Sequence, residues 1–240
     1  IITGIQAVCP EFDISKIKIL SENEIPFSNG LGSSAAALCT GLLIGNHLIG
    51  NKFSLEDLNE KAIKIEGHPD NVTPCLFGGL TISVFNDEKD KWIARKIDVS
   101  SELNIMVFTP NFISNTNNSR KKLSKSVTRS AAVYNISRVA LLIDSLNKKD
   151  FTFLNEATKD SLHQDTRLEG FPEMRSIMNA AIDGGALGAI VSGSGPSVMI
   201  FTKGNEFTID YEIKEVARKH NLDGNIILTK PSNQGIILSK

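Results

Sequence analysis

The chain lacks the signatures of a metal centre, a disulfide framework, a membrane protein and a nucleic-acid-binding protein. Cys9, Cys39 and Cys75 are isolated from one another, and no Cys-x-x-Cys or His-Glu-x-x-His pattern occurs. Isolated cysteines are typical of a reducing compartment, so we expect a cytoplasmic protein. No apolar run approaches the roughly 20 residues of a transmembrane helix. The first residues lack a basic region followed by an apolar one, so we expect no signal peptide. A formal net charge of −1 offers no basic field, so we expect neither a membrane nor a nucleic-acid partner.

The 240 residues have the ordinary composition of a globular protein, with 41% hydrophobic and 22% charged residues. Strand patterns are grouped as hairpins and helix patterns are grouped elsewhere, which predicts an α+β fold with antiparallel sheet. A change in helical content near residue 102 favours two domains, 1–102 and 103–240. The periodicity predicts helices at 34–48, 54–66 and 127–146, and strands at 17–19, 80–85, 92–97, 104–108 and 235–239.

The most informative stretch runs from Gly30 to Ala36, where glycine and serine lead directly into an apolar helix pattern. Glycine lets a backbone approach a ligand, and a helix N-terminus binds phosphate through its free N–H groups. A P-loop is excluded because no lysine lies between Lys18 and Lys52. The dinucleotide fingerprint is disfavoured, because Ile25–Asn29 is too short and interrupted to be the required strand. A helix start made of small residues for close packing is the remaining alternative.

A second glycine-rich segment covers residues 184–197, between two apolar strand patterns. Glycine in such a place is typical of a tight hairpin turn. The functional alternative is a loop whose backbone comes close to a ligand or to the Gly30–Ala36 segment. Two glycine-rich segments in one chain favour phosphate binding.

A polar cluster follows the first pair of helices and comprises Glu60, Glu66, His68, Asp70 and Asn71. Magnesium bound to ATP needs one or two carboxylates and a hydroxyl, because the phosphates supply the other ligands. One of the two glutamates, together with one of the serines at the start of the helix, could meet that need. A solvated helix face and a turn histidine are the alternatives for these side chains.

With these motifs together, the chain resembles the family of galactokinases, homoserine kinases, mevalonate kinases and phosphomevalonate kinases. The resemblance rests on residues 26–36, on 66–74 with the Gly-Gly pair at 78–79, and on 185–197. The Glu-Gly-His-Pro-Asp-Asn run at 66–71 is similar to the homoserine kinase branch, as are Pro110, Thr116, Arg120 and, loosely, 163–167. The implied fold has an N-terminal part like domain 2 of ribosomal protein S5 and a ferredoxin-like C-terminal part.

The resemblance implies Mg²⁺- and ATP-dependent phosphorylation of L-homoserine, a step of threonine synthesis. By matching position, the ATP-binding residues are Pro26, Gly30, Leu31, Gly32, Ser33, Ser34 and Ala35. The Mg²⁺ ligands are Ser34 and Glu60, with Glu66 as the other carboxylate. The homoserine-binding residues are His68, Asn71, Thr116, Arg120, Arg167, Gly193 and Gly195. The catalytic group is Glu60, Asp70 and Asn71, in which Asp70 is the candidate general base.

Two departures from the family pattern stand out. The family has strands and a Pro-x-x-x-Ala-Asn-Leu-Gly segment ahead of its ATP loop, so we expect the N-terminal domain to be incomplete here. Asp165 and Thr166 stand where the family has a proline and an aromatic residue, which affects the placement of Arg167. The other functions considered are a sister kinase such as a mevalonate kinase, and a catalytically silent ligand-binding protein. The sequence leaves a homodimer open.

Overall fold

The computed structural model describes residues 1–112, 123–124 and 126–239. Thr116 and Arg120 from the predicted substrate site therefore lie outside the described residues. The chain divides into two compact units, and neither is continuous in sequence. Unit 1 comprises Ile1–Ile25, Gly32–Asp98 and Ser232–Lys240, and unit 2 comprises Pro26–Leu31 and Val99–Pro231. The predicted division at residue 102 stays a prediction.

Unit 1 is mainly helical, with one antiparallel hairpin. Its elements are α1 (Ile2–Val8), a 3₁₀ turn (Ile14–Lys16), α2 (Ser33–Leu48), α3 (Leu55–Glu66), α4 (Val72–Phe77), β1 (Leu80–Asn86) and β2 (Lys91–Ile97). In the hairpin, Ile82 lies opposite Arg95 and Phe85 opposite Trp92. Apolar residues of α2, α3 and α4 form its core, including the fully buried Leu42. Burying one such side chain stabilises the fold by about 1.5–3 kcal/mol.

The boundaries of α3 follow from its end residues. Ser54 accepts a hydrogen bond from the N–H of Asp57, and the Asp57 carboxylate accepts one from the N–H of Ser54. This capping box satisfies two N–H groups that the helix itself cannot bond. At the other end, Gly67 adopts φ +86°, a left-handed conformation that suits glycine, and terminates the helix. The chain then turns towards α4.

Unit 2 is a sheet covered by helices. Its elements are β3 (Asn104–Pro110), α5 (Arg129–Lys148), α6 (Leu154–Ala157), α7 (Gln164–Leu168), α8 (Pro172–Asp183), β4 (Gly188–Val191), β5 (Val198–Thr202), α9 (Glu206–Lys219) and β6 (Gly224–Thr229). Among the described residues, its strands form an antiparallel sheet in the order β4-β5-β3-β6. The interior strand β3 is almost entirely buried. Apolar residues of α8 and α9, such as Ile177 and Ile213, pack in the same core as the sheet.

Most predicted elements are present, but two predicted strands are wrong. Residues 17–19 follow a 3₁₀ turn and form no strand, and residues 235–239 form none either. The second segment contacts α4 within unit 1, where Ile236 N donates to Cys75 O at 2.9 Å. Within the part of the chain that the structure describes, no helix has the length and apolar character needed to cross a membrane.

Candidate active site

The N-terminus of α2 is built by glycine and serine, as expected from the sequence. Gly32 caps the helix with φ +75°, and a Cβ at this position would lie 3.3 Å from Asn71 Oδ1. The helix's hydrogen bonding starts where Ala36 N donates to Gly32 O at 3.0 Å. The N–H groups of Ser33, Ser34 and Ala35 precede that bond, and the first N–H groups of a helix have no acceptor within it. Together with the helix dipole, they suit an anionic ligand such as phosphate.

The turn between α3 and α4 brings three predicted site residues together. His68 Nδ1 lies 2.5 Å from Asp70 Oδ1, and Asn71 Nδ2 donates to the same oxygen at 3.2 Å. His68 is largely buried, whereas the Asp70 side chain is 56% exposed. Because Asn71 also neighbours Gly32, this polar group lies beside the first turn of α2.

The two candidate metal-binding glutamates have different surroundings. Glu60 Oε1 accepts a hydrogen bond of 2.5 Å from the backbone N–H of Trp92, at the start of β2. Glu66 is the last residue of α3, and its charge acts on Cys39 of α2. The pKa of the Cys39 thiol is raised chiefly by its hydrogen bond with Cys75 and by burial, and in smaller part by the negative charge of Glu66. Cys39 comes five residues after Ser34, roughly 7.5 Å along the helix.

The second glycine-rich segment packs against Gly30, within unit 2. Ser192 Oγ donates to Gly30 O at 2.9 Å. Gly30 has φ +75°, and a Cβ on it would lie 2.2 Å from Ser192 O and 3.0 Å from Gly195 N. A Cβ on Gly193 would lie 2.9 Å from Gly30 O. The segment is therefore a hairpin turn between β4 and β5, and its backbone also comes close to Gly30 of the first glycine-rich segment.

Two buried oxygen atoms occur in the segments that carry these glycines. Asn29 Oδ1 and Ser197 Oγ have no hydrogen-bond partner within the described part of the chain. Buried oxygens of this kind are usually satisfied by water or by a ligand. The other predicted ATP-binding residues of this unit, Pro26 and Leu31, are half-buried in the same coil as Gly30.

Arg167 is half-buried on α7, and its helix is held by two residues that the sequence interpretation did not assign. Asp160 precedes the helix and accepts hydrogen bonds from the backbone N–H groups at its start. Gln164, the first residue of α7, is buried and bonds both to Thr158 and to Val191. Aspartate side chains often accept hydrogen bonds from backbone N–H groups a few residues further on, and this local signal could have identified Asp160. Nothing local in the sequence marks Gln164, because its partner Val191 is 27 residues away.

The described residues contain no group of three or more histidine, cysteine, aspartate or glutamate side chains that could hold a metal ion. This finding is compatible with the expected chemistry, because Mg²⁺ in ATP-dependent enzymes takes few protein ligands and several from the phosphates.

Comparison with known proteins identifies the family. Residues 1–79 match the model for the GHMP kinases N terminal domain, and residues 142–218 match the GHMP kinases C terminal model. A homoserine kinase of Clostridium botulinum is 34% identical over 225 residues, which are 94% of this chain and 74% of that protein. The chain belongs to the GHMP kinase family.

Further relatives and solved structures are similar to this GHMP kinase. A homoserine kinase of Desulfitobacterium hafniense is 38% identical over 78% of this chain and 63% of its own length. The crystal structure of a homoserine kinase from Cytophaga hutchinsonii superposes with a TM-score of 0.79 at 28% identity, over 89% of this chain and 69% of that one. A mevalonate kinase of L. major shares the fold, with a TM-score of 0.60 at 19% identity over 85% and 67% of the two chains. The predicted α+β kinase fold is confirmed, and as a GHMP kinase the protein uses ATP as phosphate donor.

Proposed function

We propose that this GHMP kinase transfers the γ-phosphoryl group of ATP to the side-chain hydroxyl of L-homoserine, a step of threonine synthesis. The observation that carries the proposal is the polar group His68, Asp70 and Asn71 beside the N-terminus of α2. These residues belong to the run that resembles the homoserine kinase branch. The names of the relatives from Clostridium botulinum and Desulfitobacterium hafniense support the same substrate.

ATP is assigned to the glycine-rich segment and the start of α2. The backbone N–H groups of Ser33, Ser34 and Ala35 would donate hydrogen bonds to phosphate oxygens, and the helix dipole would add to the attraction. Glycine at position 32 keeps the start of the helix free of a Cβ, which would lie 3.3 Å from Asn71 Oδ1. Gly30 and Leu31 lead the chain into this turn.

The amino-acid substrate is assigned to polar and cationic side chains. A planar guanidinium group can hold a carboxylate through two parallel hydrogen bonds, so Arg167 and Arg120 are the candidates for the homoserine carboxylate. His68, Asn71, Thr116, Gly193 and Gly195 complete the proposed substrate-binding residues.

Magnesium is assigned to the Ser34 hydroxyl and the Glu60 carboxylate, with Glu66 as the competing ligand. When bound, the ion would neutralise charge on the phosphates. Ser34 is exposed at the start of α2, and Glu60 keeps one carboxylate oxygen besides the one that accepts from Trp92. The charge of Glu66 on α3 acts on Cys39 of α2, the helix that begins with Ser33 and Ser34, which supports the competing arrangement.

Asp70 is the candidate general base. Its carboxylate is exposed, while His68 and Asn71 both contact one of its oxygens and fix its orientation. A general base acts on the proton of the substrate hydroxyl during the chemical step and not on substrate affinity, so we expect Asp70→Asn to lower kcat while leaving substrate binding largely intact.

The direct test is ADP release by the full-length protein with ATP and Mg²⁺. We expect L-homoserine to stimulate release and mevalonate to leave it at the background rate. ADP release that is stimulated by mevalonate and not by L-homoserine would show that the protein is a sister kinase. ATP binding without stimulation by either alcohol would favour a catalytically silent protein.

A matched pair of variants decides between the two glutamates. Glu60→Gln and Glu66→Gln remove the same charge at two positions of one helix. We expect Glu60→Gln to raise the Mg²⁺ concentration needed for half-maximal rate about tenfold, with Glu66→Gln close to wild type. The reverse pattern would transfer the metal-ligand role to Glu66.

A further inference from the structure

We propose that Asp160 and Gln164 are positioning residues for substrate binding, which hold the Arg167 helix against the glycine-rich β4–β5 turn. The inference rests on the proposed role of Arg167 in holding homoserine. Asp160, Gln164, Arg167 and the β4–β5 turn all belong to unit 2.

Asp160 accepts hydrogen bonds from consecutive backbone N–H groups at the start of α7. Its Oδ2 atom accepts hydrogen bonds from the backbone N–H groups of Leu162, His163 and Gln164, at 3.1, 2.7 and 2.7 Å. Its Oδ1 atom accepts one of 2.5 Å from Asn135 Nδ2 of α5. The carboxylate therefore fixes the direction in which α7 leaves its turn.

The charge state of Asp160 fits this role. Burial alone would raise its pKa, but the hydrogen bonds from Gln164 N, Asn135 and His163 N outweigh burial and lower the pKa below its usual value. An ionised carboxylate only accepts hydrogen bonds and has about four lone-pair sites, which suits a side chain that receives four donors. The His163 imidazole also faces Asp160, with Nε2 at 3.7 Å from Oδ1.

Gln164 joins α7 to the sheet. Its Oε1 atom accepts a hydrogen bond of 2.8 Å from the backbone N–H of Val191, the last residue of β4. Its Nε2 atom donates to Thr158 O at 3.2 Å. The side chain is 8% exposed, so both bonds are shielded from water.

The next residue continues the same chain of contacts. Ser192 follows Val191 and donates to Gly30 O, while Ser192 N bonds to Ser197 O at 2.8 Å. Gln164 thus links the helix of Arg167 to the turn that holds Gly30. A displacement of about 1 Å at a substrate-binding group can reduce turnover by about a hundredfold, so anchoring of this kind has a kinetic consequence.

The test compares Gln164→Leu with Thr109→Val in the full-length protein. Thr109 is an equally buried polar residue of unit 2, whose hydroxyl donates to Asn225 O at 3.2 Å. We expect Gln164→Leu to raise the KM for homoserine about tenfold while the KM for ATP changes less than about twofold. Thr109→Val loses a similar hydrogen bond and should change neither KM. If Gln164→Leu shifts both KM values together, or neither, the positioning role is wrong.

A double-mutant cycle tests whether Gln164 acts through Arg167. We expect Arg167→Ala to raise the homoserine KM on its own, and Gln164→Leu to add little in that background, because the group it positions is absent. If the homoserine KM of the double variant rises by the product of the two single-variant increases, the proposal is contradicted. An unchanged homoserine KM in Arg167→Ala would also overturn it, while homoserine-dependent ADP release by the wild type left the proposed function intact.

Asp160→Asn keeps the argument testable if Gln164→Leu fails to fold. Asparagine has the same size as aspartate, but its N–H₂ group would face one set of the N–H donors that now bind the carboxylate. We therefore expect the same selective rise in the KM for homoserine. A wild-type protein without homoserine kinase activity would instead contradict the proposed function itself.

Discussion

Gly30 and Gly32 are two residues apart and share the same backbone conformation, yet their surroundings require glycine for different reasons. Both have φ +75°. A side chain on Gly30 would collide with the backbone at Ser192 and Gly195, whereas one on Gly32 would meet only the Asn71 side chain. The first glycine is needed for packing within unit 2. The second is needed for its backbone conformation, and the proposed phosphate site lies at the start of the helix that it caps.

The largest effect is expected from Gly30→Ala. The new Cβ would lie 2.2 Å from Ser192 O, so the backbone must shift in addition to the strain of a left-handed φ. We expect a loss of about 3 kcal/mol in the free energy of unfolding, measured by urea denaturation. Gly204→Ala is the matched control, because Gly204 has φ +91° and no atom within 4 Å of the new Cβ. Equal losses for the two variants would show that packing at Gly30 is unimportant.

A smaller loss of stability but a clear kinetic effect is expected from Gly32→Ala. The Asn71 amide lies 3.3 Å from the new Cβ and can move, so the main cost is the φ of +75°, about 1 kcal/mol. We expect the KM for ATP to rise about tenfold, because the methyl group would stand where phosphate approaches the helix. Gly50→Ala in the same unit has φ +79° and open space, and controls for backbone strain. An ATP KM that matches this control would remove phosphate from the Gly32 site.

Ser192→Ala sharpens the account of Gly30 by removing one hydrogen bond without adding an atom. The substitution deletes the Ser192 Oγ donor to Gly30 O, so we expect a loss of about 1 kcal/mol in urea denaturation. If the free energy of unfolding is unchanged, the contact between the two glycine-rich segments does not depend on this bond.

The smallest expected effect is a pH dependence that belongs to unit 2. The folded-state pKa of Asp160 is lowered, so its stabilising effect is present above the unfolded-state pKa and is lost as the pH falls through the folded-state value. We expect Asp160→Asn to be less stable than wild type near neutral pH, with the difference shrinking below about pH 4. Urea midpoints across this pH range measure it. A difference that is constant with pH would contradict the role of the ionised carboxylate.

The sequence predicted local features well and long-range contacts poorly. The predicted helix starts at residues 34 and 54 lie within one residue of the starts of α2 and α3, because a helix start depends on residues within one helical turn. The predicted strand around Ile17 is wrong, since alternation over a few residues does not provide a pairing partner. The bond that Trp92 N donates to Glu60 and the bond that Val191 N donates to Gln164 span 32 and 27 residues, and only the folded chain brings these pairs together.

The most direct test of the account is a competition among alcohols. The full-length protein would receive ATP and Mg²⁺ with L-homoserine, mevalonate and galactose at equal concentrations, and the products would be identified by mass spectrometry and by ³¹P NMR. The account predicts one new phosphomonoester, on the side-chain oxygen of homoserine. Phosphorylation of mevalonate or galactose in place of homoserine would contradict it.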